Sequence, residues 1–393
     1  MNLKHFKTAF FFISIITLLV SCKEEDPPQQ YMRGGNNLVI ATDGNLVIAG
    51  YNTSTNKGYD ATLVKASSSN GDTIWSRKFG NTYSDAFFSV KKANNGGYIA
   101  AGFSNKGNAS SPAMFMVITD ENGTLVKSAL FGSANSSQAF CVLPHANPDS
   151  GYLLAGYIQK TGRTDRDIYL VKINNDGIQK WEKTIGARTT DPYDTVYDAA
   201  YNIIAAADSG YYITGTLNGN SSCCGKIFLM KVSPTGDSLW SRTYATGIGY
   251  SLALTSDGGI AIGGTIQETD NQDFIVIKTD AAGNVQWSST HGGAGYEYGA
   301  SMIQTVDGGF AITGITSSKG AGFDDVYLVK LNSSGAFQWD ATYGSADVDQ
   351  GYGLVEYSSG GFSMTGLTNS EGSYIYLNRT SADGTQQWYK NIQ

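Results

Sequence analysis

The chain has 393 residues and a formal net charge of −7, and only 16% of its residues are charged. An acidic chain with few basic residues is a poor partner for nucleic acid or for anionic lipid, so proteins that bind through a basic surface are excluded. The 48 glycines and the 12% aromatic content, beside only 7 prolines, predict an all-β protein with many tight turns.

The first 21 residues form a predicted targeting segment. Lys4 and Lys7 give it a basic start, and the stretch 9–20 is almost entirely apolar. That stretch is too short to span a bilayer and is typical of a signal peptide core. It ends in Leu-Val-Ser-Cys at 19–22, which resembles the lipobox of bacterial lipoproteins. The resemblance implies cleavage before Cys22 and acylation of Cys22, which anchors a protein in the membrane. The alternative is an ordinary secreted protein in which Cys22 is incidental.

Residues 22–35 follow as a predicted flexible tether. The segment 23–30 is charged and contains two prolines, so it cannot bury a core of its own. Its acidic residues, Glu24, Glu25 and Asp26, come directly after Cys22 and resemble the surface-export signal of Bacteroidota lipoproteins. The resemblance implies an outer-membrane protein that faces the cell exterior. An anchor that faces the periplasm is the alternative.

A repeat fills the rest of the chain and is most visible through tryptophan. All 6 tryptophans lie four residues after a glycine, at Trp75, Trp181, Trp240, Trp287, Trp339 and Trp388. The first interval is two periods long, and its midpoint falls on Gly123 to Lys127, a unit in which lysine replaces tryptophan. The sequence therefore predicts seven units, at about 36–80, 85–132, 138–186, 198–246, 247–292, 297–344 and 349–393.

Two further patterns run in phase with the tryptophans. One is a turn and an alternating strand that ends in glycine, at Gly50, Gly102, Gly156, Gly215, Gly264, Gly314 and Gly366. The other is an apolar run that ends in a basic residue, such as the stretch 62–65 ending in Lys65. Each unit then holds four strands, which in the sixth unit are predicted at 300–305, 310–316, 325–331 and 337–343.

These patterns predict a monomeric, seven-bladed β-propeller over residues 36–393, with four antiparallel strands in each blade. A single four-stranded meander cannot bury both of its faces, whereas a closed ring of seven can. We expect the tryptophans to fill the gaps between neighbouring blades rather than to stack on a ligand. We also expect the first and last blades to meet by side-chain packing, without exchange of a strand.

The candidate binding surface is the face that carries the variable loops, which join strands two and three and join consecutive blades. We call it the long-loop face. An acid recurs there in a fixed register, at Asp85, Asp198, Glu297 and Asp349, and aromatic residues accompany it at Tyr193, Tyr296, Tyr298 and Phe323. The acids can ring a channel mouth and bind a cation or polar ligand, or each can accept backbone N–H bonds as the chain enters the inner strand. The aromatic residues suit a carbohydrate platform and are equally common in a tyrosine-rich β-protein.

The cysteines and histidines give no catalytic or metal-binding constellation. Cys223 and Cys224 are adjacent in the long loop of the fourth unit and form either a vicinal disulfide or two thiols. Cys141 lies in an apolar strand and is expected in the core. His145 and His291 are far apart in the sequence, so no zinc site and no histidine-based triad is predicted. We therefore expect no metal and no cofactor.

Three families share features with the repeat. The chain resembles the repeat propellers that are common among Bacteroidota lipoproteins. Its Gly-x-x-x-Trp spacing is similar to that of the tryptophan-docking repeats of quinoprotein dehydrogenases, which have eight blades and also use a vicinal disulfide. The stretch 43–47 resembles the mannose motif of bulb-type lectins, but Ala41 and Ala49 replace the glutamine and tyrosine of that motif. Mannose binding is therefore not carried over.

The sequence favours a non-enzymatic binding or scaffold protein at the cell surface, whose partner is a glycan or an outer-membrane protein. The alternative is an enzyme, either a glycan-active or a quinoprotein-like propeller. An enzyme of the first kind needs carboxylates that converge in one central pocket.

Overall fold

Twenty-seven β-strands form this protein in the computed structural model, which describes residues 33–53, 58–81, 83–105, 112–145, 151–186, 196–219, 225–268, 271–370 and 372–393. The strands of the first three units are β1 (Arg33–Ile40), β2 (Leu46–Thr53), β3 (Tyr59–Ala66), β4 (Thr73–Phe79), β5 (Asp85–Lys92), β6 (Tyr98–Ser104), β7 (Ala113–Thr119), β8 (Leu125–Phe131), β9 (Ser136–Pro144), β10 (Tyr152–Gln159), β11 (Asp167–Ile173) and β12 (Gln179–Ile185).

The remaining strands continue the same pattern. They are β13 (Tyr197–Ala205), β14 (Tyr211–Gly219), β15 (Lys226–Val232), β16 (Ser238–Leu254), β17 (Ile260–Gln267), β18 (Gln272–Thr279), β19 (Val285–His291), β20 (Glu297–Gln304), β21 (Phe310–Thr316), β22 (Asp325–Leu331), β23 (Phe337–Tyr343), β24 (Asp349–Glu356), β25 (Phe362–Thr368), β26 (Tyr374–Thr380) and β27 (Gln386–Ile392). Within the described ranges no helix has the length and hydropathy that a bilayer crossing needs.

The strands form seven antiparallel meanders of four, which are the blades of an all-β propeller. Five blades are separate four-stranded sheets, while the fourth and fifth share the 17-residue strand β16, which is the last strand of one and the first of the other. The first strand of each blade contacts the first strand of the next, and β24 contacts β1. The seven first strands therefore form a closed inner ring, and we call the space that they enclose the central channel.

The core lies between the blades, in seven apolar clusters that each join two neighbours. The cluster around Leu38, Ile48, Ile375 and Leu377 joins the last blade to the first. Because β1 pairs with β2 and the last sheet contains only β24 to β27, no strand is exchanged at this seam within the described residues. The predicted closure by side-chain packing is confirmed.

Each tryptophan packs between its own blade and the next, as predicted. A methyl group added to Gly335, which has φ +80°, would lie 2.6 Å from the ring of Trp287 in the preceding blade. The other tryptophans meet the equivalent glycines at Gly71, Gly123, Gly236, Gly283 and Gly384 in the same way. The second blade has Lys127 in place of tryptophan, and there the Cε of Met116 fills the position against Gly177. A flexible thioether thus replaces the missing indole.

A buried lysine lies opposite the tryptophan in most blades, as Lys330 does opposite Trp339. Its Nζ lies 2.8 Å from Asp307 of the tight turn that joins the first two strands. The same pair recurs as Lys65–Asp43, Lys231–Asp208 and Lys278–Asp257, at 2.7, 2.6 and 3.0 Å. In the second blade Ile118 occupies the position of the lysine, and Lys127, which lies opposite it, occupies the position of the tryptophan. In these four blades the lysine next to the end of the third strand therefore holds the turn in place.

Candidate functional site

The four acids in register lie at the start of the inner strands and are buried. The exposed fractions of Asp85, Asp198, Glu297 and Asp349 are 0, 1, 0 and 1%. Each accepts a backbone N–H bond, from Asn81, Asn218, Gly293 and Ser345 respectively, at 2.8, 2.7, 2.8 and 2.6 Å. Asp85, Glu297 and Asp349 thus bond to the loop through which the chain enters the inner strand, which is the second of the two predicted roles. Asp198 instead bonds to Asn218 at the end of β14.

Glu297 also faces a second carboxylate from the preceding blade. A methyl group at Gly292 would lie 1.9 Å from Oδ1 of Asp273 and 2.3 Å from Oε2 of Glu297, so these two groups lie against one glycine. Burial, a hydrogen bond with Glu297 and the charge of Glu297 raise the pKa of Asp273 to about 6. Among the described residues, no group of three or more histidine, cysteine, aspartate or glutamate side chains is arranged to hold a metal ion.

The remaining predicted site residues divide between the described and undescribed parts of the chain. Cys22, Tyr193, Cys223 and Cys224 lie outside the described residues, and so does most of the predicted tether. Cys141 is buried as expected, and burial raises the pKa of its thiol to about 12. Tyr296 and Tyr298 contact each other edge to face, with ring centroids 5.9 Å apart. Phe323 is 60% exposed, in the loop between β21 and β22 on the long-loop face.

The most regular feature of the channel was not predicted. A β-bulge interrupts the pairing of the first and second strands at the same position in every blade and displaces one residue of the first strand from the register. The fourth blade has a second register shift, between Tyr197 and Ala199. The seven bulged residues are Asn36, Phe88, Phe140, Tyr201, Tyr250, Ala300 and Tyr352. All seven are half-buried, although their neighbours in the strands are mostly buried.

Five of these residues are aromatic, and we call Phe88, Phe140, Tyr201, Tyr250 and Tyr352 the aromatic girdle. Phe140 stacks on Tyr201 at a centroid distance of 4.6 Å and contacts Phe88 at 5.5 Å. Tyr201 in turn meets the edge of Tyr250 at 5.0 Å. The rings of four consecutive blades therefore touch one another inside the channel. Phe88 is three residues from the start of β5, which places the girdle about 10 Å below the long-loop mouth.

The glycine that recurs at the end of the alternating strand in every unit, as at Gly314, explains the bulges. Each pairs with the residue that precedes the bulge, as Gly314 pairs with Gly299. A methyl group on Gly314 would lie 1.7 Å from the carbonyl oxygen of Tyr298, and the same approach recurs at the other six glycines. Glycine at this position lets the inner strand come close enough to bulge. An isolated glycine in a strand pattern is the signal that could have located the girdle.

The girdle is broken at two blades, in different ways. In the first blade Asn36 donates its amide to the carbonyl of Phe87, at 2.7 Å, and so bonds to the second blade. In the sixth blade Ala300 offers only a methyl group, with Tyr250 and Tyr352 at the equivalent positions of the two neighbouring blades. We call this place the blade-six gap. It breaks the symmetry of the ring, which a binding site normally does and a purely structural repeat does not.

A polar network lies at the junction of the sixth and seventh blades and ends at Tyr352. Asp324 is buried and accepts hydrogen bonds from Tyr296, at 3.2 Å, and from the amide of Gln350, at 2.9 Å. Gln350 in turn accepts a short hydrogen bond from Tyr352. Burial raises the pKa of Asp324, although these two hydrogen bonds oppose the shift. The carboxylate, the amide and the two phenol hydroxyl groups of this network are therefore bonded to one another, and they join the two blades.

A second polar pair lies at the junction of the fifth and sixth blades. Gln272 donates a short hydrogen bond to Gln267, and Tyr298 of the sixth blade lies within hydrogen-bonding distance of Gln272. Burial raises the pKa of the Tyr298 hydroxyl. The two networks are buried and bond neighbouring blades to each other on both sides of the sixth blade.

A separate cleft lies on the outside of the ring, between the first and second blades. It has a volume of about 720 Å³ and is lined by Phe79, Phe115 and Leu125, with Arg77 and Lys78 among its polar residues. Lys78 donates to the carbonyl of Thr53 and lies 3.4 Å from Asp60. The cleft does not include any residue of the girdle or of the blade-six gap.

The chain matches no family model and no curated protein sequence. Among solved structures it is similar to Sqt1 from Chaetomium thermophilum bound to the N-terminus of the ribosomal protein L10, with a TM-score of 0.52, 11% identity, and coverage of 92% of this chain and 89% of that one. A second structure of Sqt1 from the same organism gives a TM-score of 0.50, 12% identity, and coverage of 92% and 88%. The Dos1 propeller gives 0.49 at 10% identity, with coverage of 89% and 82%. At these identities the likeness concerns the fold alone, which is that of a β-propeller.

Proposed function

We propose that this protein is a non-enzymatic binding propeller, which takes a glycan or a segment of a partner protein at the long-loop mouth of the central channel. The aromatic girdle carries the proposal. Aromatic side chains on a rigid inner strand lose little conformational entropy when a ligand binds. Because they are half-exposed, their rings offer flat apolar faces to that ligand.

The arrangement of the acids supports binding rather than hydrolysis. Asp85, Glu297 and Asp349 each accept a backbone N–H bond from the loop that joins two blades, Asp198 accepts one from Asn218 at the end of β14, and all four are buried. A glycan-active enzyme requires two carboxylates on either side of one accessible bond. A propeller of similar fold, Sqt1, binds the N-terminus of a ribosomal protein, which supports a polypeptide as one class of ligand.

In this proposal the propeller is held at the outer membrane through acylated Cys22 and faces the cell exterior. The support is the sequence of residues 1–26. Incorporation of an alkyne-labelled palmitate into the wild-type protein, and its loss in Cys22→Ser, is the expected result. Degradation of the protein by a protease added to intact cells is expected too. Equal labelling of wild type and variant contradicts the anchor, and protection from the protease contradicts the exterior location.

A pair of binding screens tests the proposed function. The wild-type protein is applied to a printed glycan array and to a displayed peptide library, beside Tyr201→Ala in the girdle and Val306→Ala in a tight turn on the opposite face. Val306 is 71% exposed and serves as the matched control. We expect a ligand from one screen to bind wild type and Val306→Ala alike and to bind Tyr201→Ala at least tenfold more weakly. Binding of neither class, equal binding by all three proteins, or turnover of a bound glycan contradicts the proposal.

A further inference from the structure

The outer cleft between the first and second blades lacks a hydrogen bond that two other blade junctions have. In the fourth blade the residue equivalent to Phe79 is Tyr244, whose hydroxyl donates to the carbonyl of Gly283 in the next blade, at 2.9 Å. Tyr343 of the sixth blade forms the same kind of bond, at 2.6 Å. Phe79 has no hydroxyl group and packs against Phe87 instead, with ring centroids 5.7 Å apart. The aromatic ring is therefore not tied across this junction, where the cleft of about 720 Å³ lies.

A second side chain is short at this junction. In the seventh blade Tyr389, in the outer strand, stacks on Tyr376 of the adjoining strand, with ring centroids 6.2 Å apart. The equivalent pair in the second blade is Ser128 and Phe115, and both residues line the cleft. The hydroxymethyl group of the serine leaves free the volume that a phenol ring occupies in the seventh blade.

Arg77 provides an unpaired positive charge in the lining of the cleft. At the equivalent position of the third blade, Lys183 pairs with Asp237 of the next blade at 2.8 Å, and the seventh blade repeats this pair at 2.7 Å. In the second blade Thr124 replaces the aspartate, and Arg77 forms no ion pair within the described ranges. Its guanidinium donates one hydrogen bond to the carbonyl of Ser76, at 2.9 Å, so its other N–H groups are available to an anion.

We infer that the outer cleft binds a fatty acid, whose carboxylate bonds to Arg77 and whose alkyl chain lies between the two blades. This site is separate from the channel mouth, so the inference goes beyond the proposed function. The lining follows β8 from its turn at Gly123 to Leu130, and the seven residues of that strand span about 20 Å. The cleft is thus long and narrow, as an extended alkyl chain is.

The position of the charge suits a ligand with one charged end. A methyl group on Gly123 would lie 2.9 Å from Cγ of Arg77, so the arginine lies beside the turn that begins β8. Lys78 also lines the cleft, but it lies 3.4 Å from Asp60 and donates to a backbone carbonyl. No aspartate or glutamate is part of the lining, so a carboxylate has a cation to bind and no acid to repel it.

The apolar part of the lining favours an alkyl chain over a polypeptide. Phe79, Phe115, Val117 and Leu130 form this part. An extended peptide brings an N–H and a C=O group at every residue, and burial of these groups against apolar side chains is unfavourable. An alkyl chain has no such groups, and each methylene that leaves water strengthens its binding.

Isothermal titration calorimetry of the full-length protein tests the inference. The probes are octanoate, decanoate and dodecanoate below their micelle concentrations, with dodecyltrimethylammonium and an alternating leucine–glutamate hexapeptide for comparison. Ser128→Tyr fills the cleft, and Ser241→Tyr adds the same ring at the equivalent exposed serine of the fourth blade. Arg77→Ala removes the cation, and its control is Arg242→Ala, because both arginines lie over a tryptophan ring, at 5.5 and 5.6 Å. Circular dichroism confirms that each variant is folded.

We expect dodecanoate to bind and octanoate to bind at least tenfold more weakly, since a half-buried methylene strengthens binding about twofold. Ser128→Tyr and Arg77→Ala should each weaken dodecanoate at least fivefold, whereas Ser241→Tyr and Arg242→Ala should leave its affinity unchanged. Dodecyltrimethylammonium should not bind.

Three results would overturn the inference. The first is that dodecanoate does not bind the wild type. The second is that Ser128→Tyr and Ser241→Tyr bind dodecanoate equally, which would place it outside the cleft. The third is equal affinity for dodecanoate and dodecyltrimethylammonium, which would remove the role of Arg77. Binding of the hexapeptide without dodecanoate, lost in Ser128→Tyr, would show that the cleft takes a polypeptide and not a fatty acid.

Discussion

The contact between a tryptophan and a turn glycine recurs at six of the seven blade junctions, and substitution of Gly335 measures its contribution to stability. Gly335 and Gly308 both have φ +80° and lie in turns of the same blade, but an added methyl group meets Trp287 at 2.6 Å in the first case and nothing within 4 Å in the second. Left-handed backbone costs an alanine about 1 to 2 kcal/mol at either site. Overpacking against the indole adds about 1 to 3 kcal/mol at Gly335 alone.

The expected result is therefore a free energy of unfolding that falls by about 2 to 5 kcal/mol in Gly335→Ala and by about 1 to 2 kcal/mol in Gly308→Ala. Urea titrations followed by tryptophan fluorescence and circular dichroism give both values. Gly177→Ala is a third variant, in which the added methyl meets only the mobile Cε of Met116, and it should resemble Gly308→Ala. Equal destabilisation by Gly335→Ala and Gly308→Ala would refute the role assigned to the indole.

Three further predictions concern buried or paired titratable groups. Because the pKa of Asp273 is raised to about 6, its ionisation opposes folding above that pH. In urea titrations the free energy of unfolding of Asp273→Asn should therefore exceed that of wild type by about 1 to 2 kcal/mol at pH 8 and equal it at pH 4. Hydrogen bonds from Thr255 and Lys278 lower the pKa of Asp257 to about 2, so the stabilisation by its carboxylate is complete above pH 4 and is lost as the pH falls through 2. Asp257→Asn should therefore lower the free energy of unfolding by up to about 1 kcal/mol at pH 6 and by much less at pH 2. A difference that stays constant with pH would contradict this. In a variant with Cys141 as the sole cysteine, a thiol reagent at pH 8 should react only after unfolding, since burial raises the pKa of that thiol to about 12; rapid reaction of the folded protein would be the opposite result.

The fold could be predicted because the residues that mark the repeat have the same structural role in nearly every blade. Tryptophan and glycine recur in one register since each junction needs the same contact, and the strands predicted at 310–316, 325–331 and 337–343 coincide with β21, β22 and β23. The first strand of that unit was placed at 300–305, and it begins at Glu297 instead. The bulge at Ala300 explains the error, because an unpaired residue interrupts the alternation of buried and exposed side chains.

The site was harder to predict than the fold. The recurring acids were visible in the sequence, but a pattern of carboxylates does not reveal whether Asp85 or Asp349 faces solvent or a backbone N–H group. The girdle escaped notice because Phe88 and Tyr352 lie in strands that read as ordinary apolar segments. Only the strand register, in which Phe87 pairs with Gly102 and Gly351 pairs with Gly366, shows that the two rings lie at bulges.

The pairing of the turn aspartate with the buried lysine was also missed, although both patterns were in the sequence. Lys330 and Asp307 are 23 residues apart, and their contact depends on the register of two hairpins. The second blade shows that the pattern has physical alternatives, since Met116 and Ile118 replace the indole and the lysine there. Side chains that meet across strands can be inferred only once the register is known.

The most direct test of the binding account is a crystal structure of the protein soaked with the glycan or peptide that binds it most tightly. The account predicts the ligand at the long-loop mouth of the central channel, in contact with rings of the aromatic girdle such as Tyr201 and Tyr250. A ligand located only in the outer cleft lined by Phe79 and Leu125, or on the tight turns of the opposite face, would contradict it.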